Sequence, residues 1–301
     1  MWALVDQPAA PEAFFARVLP RIREAYEGQY RRALGALEQG TFEREVSVWA
    51  TEGDEPVGVA LVAGGAAPEL SIVAVREAWR RRGVGRKLVA EAGERLRRGG
   101  AGALIAPVVS SANTAAVRLL ESAGFVGVPT GGLRMRRPLD APWPAWSIAS
   151  GYLLRTLKEG EETVYARLKS ACFPESRPWT EEDFRQEFLT DSFDAYGRIF
   201  VVAPKVSARE GEGQLVGTAS AWEIDHGDGA VGLVHWVGVD PAHRGQGLGA
   251  ALNLRVLEEL AARGYPEAWL NTSRDRVAAV RLYERLGFVP YQELYTYTLT
   301  F

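Results

Sequence analysis

The 301-residue chain contains a single cysteine, Cys172, and only three histidines. One thiol excludes an internal disulfide and a zinc cluster built on cysteines, so no metal is expected. Cys172 stands beside Phe173 at the end of an apolar helical pattern and reads as a small buried hydrophobe. No apolar run approaches the ~20 residues that span a bilayer. The opening MWALVDQPAAPEAFF lacks a basic segment followed by a long apolar run, so no signal peptide is read there and the expected location is the cytoplasm. Charge of either sign is not in excess. The 35 basic and 38 acidic side chains leave a net charge of −3, which gives no global field for nucleic acid or an anionic membrane. The 47% hydrophobic and 24% charged residues are those of a globular protein long enough for two domains.

What is present is a repeat. In the stretch DPAHRGQGLGAAL, glycines stand at 245, 247 and 249, although each costs a helix about 1 kcal/mol relative to alanine. Upstream, VREAWRRRGVGRKLV carries Arg80-x-x-Gly83-x-Gly85, which matches Arg244-x-x-Gly247-x-Gly249 at an offset of 164. Further on, RLLESAGF, ending at Phe125, matches RLYERLGF, ending at Phe288, at an offset of 163. Two motifs recurring at nearly one spacing describe two copies of one domain. We place the copies at 1–140 and 152–301, joined by a proline- and tryptophan-rich linker over 141–151. Trp143 and Trp146 are expected to pack between the copies.

Each copy reads as valine-rich strands, then the glycine motif opening a helix, then strand, helix and a closing strand pair. In the second copy two helices come early. ETVYARLKSACF puts Val164, Leu168 and Cys172 on one face, and PWTEEDFRQEFL starts at the N-cap Thr180. The first copy instead opens with a longer helical region over 11–40. Free N–H groups at the glycine-rich helix starts, backed by the helix dipole, suit an anionic phosphate.

The element order, the Arg-x-x-Gly-x-Gly loop after a strand, and the later helix ending in Gly-Phe resemble the GCN5-related N-acetyltransferases, in a tandem arrangement. The resemblance implies an α/β (α+β) fold: two domains, each a mixed, mostly antiparallel sheet flanked by helices. It also implies acetyl-CoA as cosubstrate, with the strand before the glycine loop splayed from its neighbour to hold the pantetheine arm. Residues implied to contact CoA in the second copy are Val237, Gly238, Val239, Arg244, Gly245, Gln246, Gly247, Leu248, Gly249, Ala250, Asn271 and Arg276. In the first copy they are Val73, Ala74, Val75, Arg80, Arg81, Arg82, Gly83, Val84, Gly85, Arg86 and Asn113.

Acetyl transfer to an amine needs a base for the amine and an acid for the departing thiolate. In the family a tyrosine on the helix after the CoA loop commonly supplies the proton, and Tyr283 occupies that place. Leu120 is aligned with it in the first copy and cannot donate. For the base, His235 lies on the strand GLVHWVGV, and an ordinary histidine titrates near ~6.5. Glu223 on the preceding strand is the rival. His226 and His243 read as exposed bystanders. In the first copy Ser71 replaces His235, although Glu69 is nearby. The expectation is therefore an acetyl-CoA-dependent N-acetyltransferase working in the C-terminal copy, with a weak or inactive N-terminal copy. The alternative is a non-enzymatic CoA-binding or regulatory module. A Rossmann dinucleotide site fails because the preceding strand lies in a meander, outside any βαβ unit. The acceptor stays open between a small-molecule amine, the amine of a cysteinyl thiol and a protein N-terminus. A monomer is expected, since an internal pair supplies the packing of a dimer.

Overall fold

The computed structural model describes residues 2–5, 14, 45–64, 67–189, 193–205, 214–225 and 230–301. Of the long helical region expected over 11–40, only Phe14 is among them, helical and buried. His226 also lies outside the described residues. Two compact units form: Met1–Leu133 with Gln292–Phe301, and Arg134–Tyr291. No helix among the described residues is long and apolar enough to cross a membrane.

In the first unit, strands β1 (Trp2–Val5), β2 (Val48–Glu52), β3 (Glu55–Ala63), β4 (Glu69–Val75) and β5 (Ala103–Ser110) lie side by side in that order. Helix α1 (Val84–Arg98) covers them with Val84, Leu88, Val89, Ala92 and Leu96, and α2 (Thr114–Ser122) follows β5. In the second unit, β7 (Tyr152–Thr156), β8 (Ile199–Pro204), β9 (Gly217–Asp225), β10 (Ala230–Val239) and β11 (Glu267–Ser273) repeat the plan. Helix α6 (Leu248–Ala262) covers one face, where Leu252 and Leu260 fit over Gly217 and Gly232. Helices α3 (Glu162–Cys172) and α4 (Glu181–Phe188) bring Tyr165, Phe184 and Phe188 into a second core with Ile199 and Val201. Thr180 caps α4 as expected, in a reciprocal box with Asp183. Helix α5 is the single turn Ala195–Arg198, and α7 (Val277–Arg285) follows β11.

The closing elements differ from the expected strand pairs. Each is one long strand, β6 (Val126–Pro138) and β12 (Val289–Thr300). Strand β12 runs antiparallel to β5 of the first unit, from Leu294 beside Ser110 to Thr300 beside Ala103. The later half of β6 belongs to the second unit, next to β11. The compact units thus exchange the strands that the repeat assigns to the opposite copies. Trp143 and Trp146 both find partners within the second unit. Trp143 lies under the Arg137 guanidinium at 5.4 Å, and Trp146 Nε1 donates to Glu258 at 2.8 Å.

Sheet register opens a gap at the same place in both units. Strand β10 pairs in parallel with β11 only from Gly232 beside Ala268 to Val234 beside Leu270. Beyond Val234 the two strands part, while β10 stays paired with β9 as far as Val239. In the first unit, β4 and β5 share the single pair Glu69–Ile105.

Candidate active site

Seven residues, Asp240 to Gln246, separate the end of β10 from Gly247, the N-cap of α6. Asp240 opens a short 3-10 turn, Pro241–His243, and its side chain accepts from the Ala242 N–H at 2.9 Å. Arg244 then bends back, and its Nε donates to the carbonyl of Val239 at 3.1 Å. Gly245 and Gly247 both take left-handed backbone angles, φ 79° and 74°, which other residues adopt at a cost of about 1–2 kcal/mol. A Cβ at either would meet nothing within 4 Å, so open space faces them. Gly247 is the N-cap of α6, and no side chain caps that helix. The N–H groups of Leu248, Gly249 and Ala250 therefore point out of an uncapped helix start, an arrangement suited to a phosphate. Gly249 serves packing, because a Cβ there would stand 3.4 Å from Leu282 of α7 and 3.9 Å from Val239.

The first unit repeats this construction. Arg80 Nε donates to the Val75 carbonyl at 3.0 Å, and Gly83 is the left-handed N-cap of α1. A Cβ on Gly85 would stand 3.5 Å from Leu119. One difference is steric: Arg81 occupies the place of Gly245 and holds φ 62°.

On the α3/α4 face of β10 lies His235, half-buried, its ring edge-on to Trp222 at 5.5 Å and 4.7 Å from Trp236. Its carbonyl accepts from Ser220 Oγ at 3.0 Å, and Ser220 Oγ accepts from Trp222 Nε1 at 2.9 Å. The β9–β10 register slips between His235 and Gly238, and in that bulge Trp236 has φ 50°. Tyr283 on α7 is buried at 7% exposure, and among the described residues its hydroxyl has no hydrogen-bond partner. Burial pushes its pKa up, opposed by Arg276, so the hydroxyl keeps its proton.

The acetyltransferase (GNAT) family model matches residues 15–125 and again 164–288. The chain belongs to that family. It is 38% identical over 245 residues to a mycothiol acetyltransferase of Thermobispora bispora, covering 79% of this chain and 78% of the relative. A mycothiol acetyltransferase of Thermomonospora curvata is 36% identical, covering 73% and 70%. Among solved structures, a tandem GNAT protein from the clavulanic acid biosynthesis pathway superposes with a TM-score of 0.64 at 20% identity, covering 100% of this chain and 98% of that one. That likeness shows the fold.

Not every residue that the sequence singles out in this acetyltransferase lies where expected. Glu223 is exposed and accepts a hydrogen bond from the Tyr265 hydroxyl, with Arg198 at 3.9 Å. Side chains alternate along β9, so Glu223 faces away from Trp222 and His235. His243 is no bystander, since its Nδ1 and the Tyr152 hydroxyl are 2.9 Å apart. Asn113 caps α2 by accepting from the Ala116 N–H at 3.0 Å. Its counterpart Arg276 leaves α7 uncapped and pairs with Glu175 at 2.7 Å, its guanidinium over Phe173. Asn271, the first position on β11 past the last pair with β10, accepts from Arg134 Nε at 2.9 Å. In the first unit Arg82 lies over Trp79 at 5.0 Å. Cys172 is buried and its thiol is pushed up to about 12 by burial, with Asp240 adding to the rise and Arg244 opposing it. Sequence reasoning missed Lys169, which is wholly buried between tryptophans. Its one signal is its spacing of four from Tyr165 and three from Cys172 on the face that α3 turns to the sheet.

Proposed function

We propose that the second unit transfers the acetyl group of acetyl-CoA to the primary amine of a small thiol-bearing molecule, the cysteinyl class among the acceptors that the sequence leaves open. One observation carries this reading: the parting of β10 from β11 beyond Val234 meets the uncapped, open-faced start of α6 at Gly247. The fit to CoA rests on that cradle. A side chain on Gly245 or Gly247 would project into the open space that the pyrophosphate needs. Strand atoms of Val237, Gly238 and Val239, unpaired on the β11 side, supply donors and acceptors for an amide-bearing arm. Acetyl-CoA supplies an activated thioester. The chain supplies the proton traffic. His235 accepts the proton of the acceptor amine, and Tyr283 holds one for the departing thiolate. The exposed Glu223, on the opposite face of β9, is the weaker candidate base. The first unit carries the same cradle with Leu120 and Ser71 at the two acid–base positions, which supports CoA binding without turnover. The name of the relatives, mycothiol acetyltransferase, supports the thiol-bearing acceptor.

A panel of amines with and without a cysteinyl group, incubated with acetyl-CoA and followed by mass spectrometry, tests the acceptor. Gain of one acetyl group on a cysteinyl amine is expected. Acetylation confined to protein N-termini or to amines without a thiol overturns it.

A further inference from the structure

Among the described residues of the second unit, Lys169 is the least exposed cation, at 0%. Its Nζ has no hydrogen-bond partner among the described residues. Instead it lies 2.9 Å from the ring centre of Trp179 and 3.1 Å from that of Trp236, with Phe188 at 5.2 Å. Burial pushes its pKa down to about 6, while the carboxylates of Glu187 and Asp183 pull it up, and the two indole faces add to that pull. An apolar residue of the same length would fill the space without any desolvation cost. Packing therefore gives no reason for an amine at this position, and its neighbours do.

Trp236 is the residue held in the left-handed region within the bulge. A bulky side chain reaches that conformation only where its surroundings hold it. Here the surroundings are the amine on one ring face, Phe173 edge-on at 5.6 Å, Trp179 at 5.7 Å and His235 at 4.7 Å. The first unit has no counterpart. Its register slip falls at Ser71, and no residue from Glu69 to Val75 takes a positive φ. The first unit's left-handed strand residue is Val108, φ 56°, at the slip between β5 and β12, so the strained bulge on the strand that carries the histidine belongs to the second unit.

We propose that Lys169 is a positioning residue for acyl transfer: its amine, clamped between the indole faces of Trp179 and Trp236, fixes the bulge and with it the imidazole of His235. This rests on the reading that the second unit is the catalytic one. Charge density on an indole face binds a cation or an N–H group without the directional demands of a hydrogen bond. The clamp can therefore hold a ring in a dry site where no carboxylate reaches the amine.

The chain has three histidines, so its histidine-labelled form gives a short NMR spectrum, and His235→Gln assigns the signal of that ring. Lys169→Met, which keeps the stem and removes the amine, should shift or broaden the His235 signals and leave those of His243 in place. With acetyl-CoA and cysteine amide as substrates, kcat should fall about 10–100-fold, the cost of a misplaced catalytic group, with the KM for acetyl-CoA unchanged. Unchanged His235 signals in a folded Lys169→Met protein overturn the clamp, as does an equal change at every histidine, which would report general loosening. Trp179→Phe keeps the lysine and trims one face. It should move the His235 signals in the same direction but less, and it decides the matter if Lys169→Met fails to fold. If His235→Gln keeps full turnover, the base assignment fails, and the NMR shift still judges the clamp.

Discussion

Arg244 Nε donates to the main-chain carbonyl of Val239, closing the turn that joins the splayed strand to the helix start. The motif arginine is thus a strut before it is a contact for phosphate. Removing it in Arg244→Met should leave the fold intact and let the loop drift. One hydrogen bond of this kind is worth about 1 kcal/mol, so KM for acetyl-CoA should rise about five- to tenfold, with kcat little changed. Isothermal titration with CoA checks this independently of the acceptor.

The open space over Gly247 makes a different prediction. Gly247→Glu puts a carboxylate at the uncapped helix start, where the dipole welcomes it and a phosphate cannot share the place. Calorimetry on the wild-type chain should find two CoA sites, one per glycine loop. Gly247→Glu should remove one, and Gly83→Glu the other. A single site lost with Gly247→Glu alone would show that the first unit binds no CoA.

Tyr283→Phe keeps the ring that stands edge-on to Phe288 at 6.1 Å. It removes a hydroxyl that has no hydrogen-bond partner among the described residues, so the melting temperature should hardly move. Turnover should fall about 10²–10⁴-fold, the range for loss of a positioned acid. Full turnover in the Phe protein would return Tyr283 to the core.

Arg137 shows what a buried charge does when no carboxylate answers it. At 2% exposure, it donates to the carbonyls of Leu286, Ala141 at 2.7 Å, Pro138 at 3.2 Å and Pro142 at 3.3 Å. Leu286 is the C-cap of α7, so the guanidinium also meets the negative end of that helix. Arg137→Met should cost the second unit about 2–3 kcal/mol, because several acceptors lose their donor at once. Denaturant titration, followed by tryptophan fluorescence, reads the loss.

Cys172 carries a pH prediction. Its thiol is pushed up to about 12 in the folded chain, against about 8.5 for a free cysteine. The unfolded chain therefore releases this proton first. Stability from Cys172 is complete below about pH 8.5 and declines as pH rises from there toward 12. Alkylation by iodoacetamide at pH 8 should be negligible until the chain is unfolded. Rapid labelling of the native protein would contradict the burial.

Much of this protein was settled by local sequence. The paired Arg-x-x-Gly-x-Gly loops announced two helix starts, because left-handed turns need glycine and an uncapped helix start binds anions. Thr180 announced a capped helix for the same kind of reason, and the structure adds Asp183, three residues on, as its reciprocal partner. Valine-rich alternation placed β8, β9 and β10, and the RLYERLGF helix placed Tyr283. Tertiary structure alone decided the pairings. Which strand closes which unit depends on the partner that β6 and β12 find over a hundred residues away, and a repeat in the sequence carries no record of that exchange. The orientation of Glu223 away from His235, the hydrogen bond of His243 with Tyr152, and the tie between Arg276 and Glu175 are likewise long-range outcomes. Lys169 is the clearest case. On a helix an isolated lysine reads as solvated, and only the convergence of α3, Trp179 and the bulge at Trp236 turns it inward, because the two indole faces that make its burial tolerable come from two stretches of chain separate from α3.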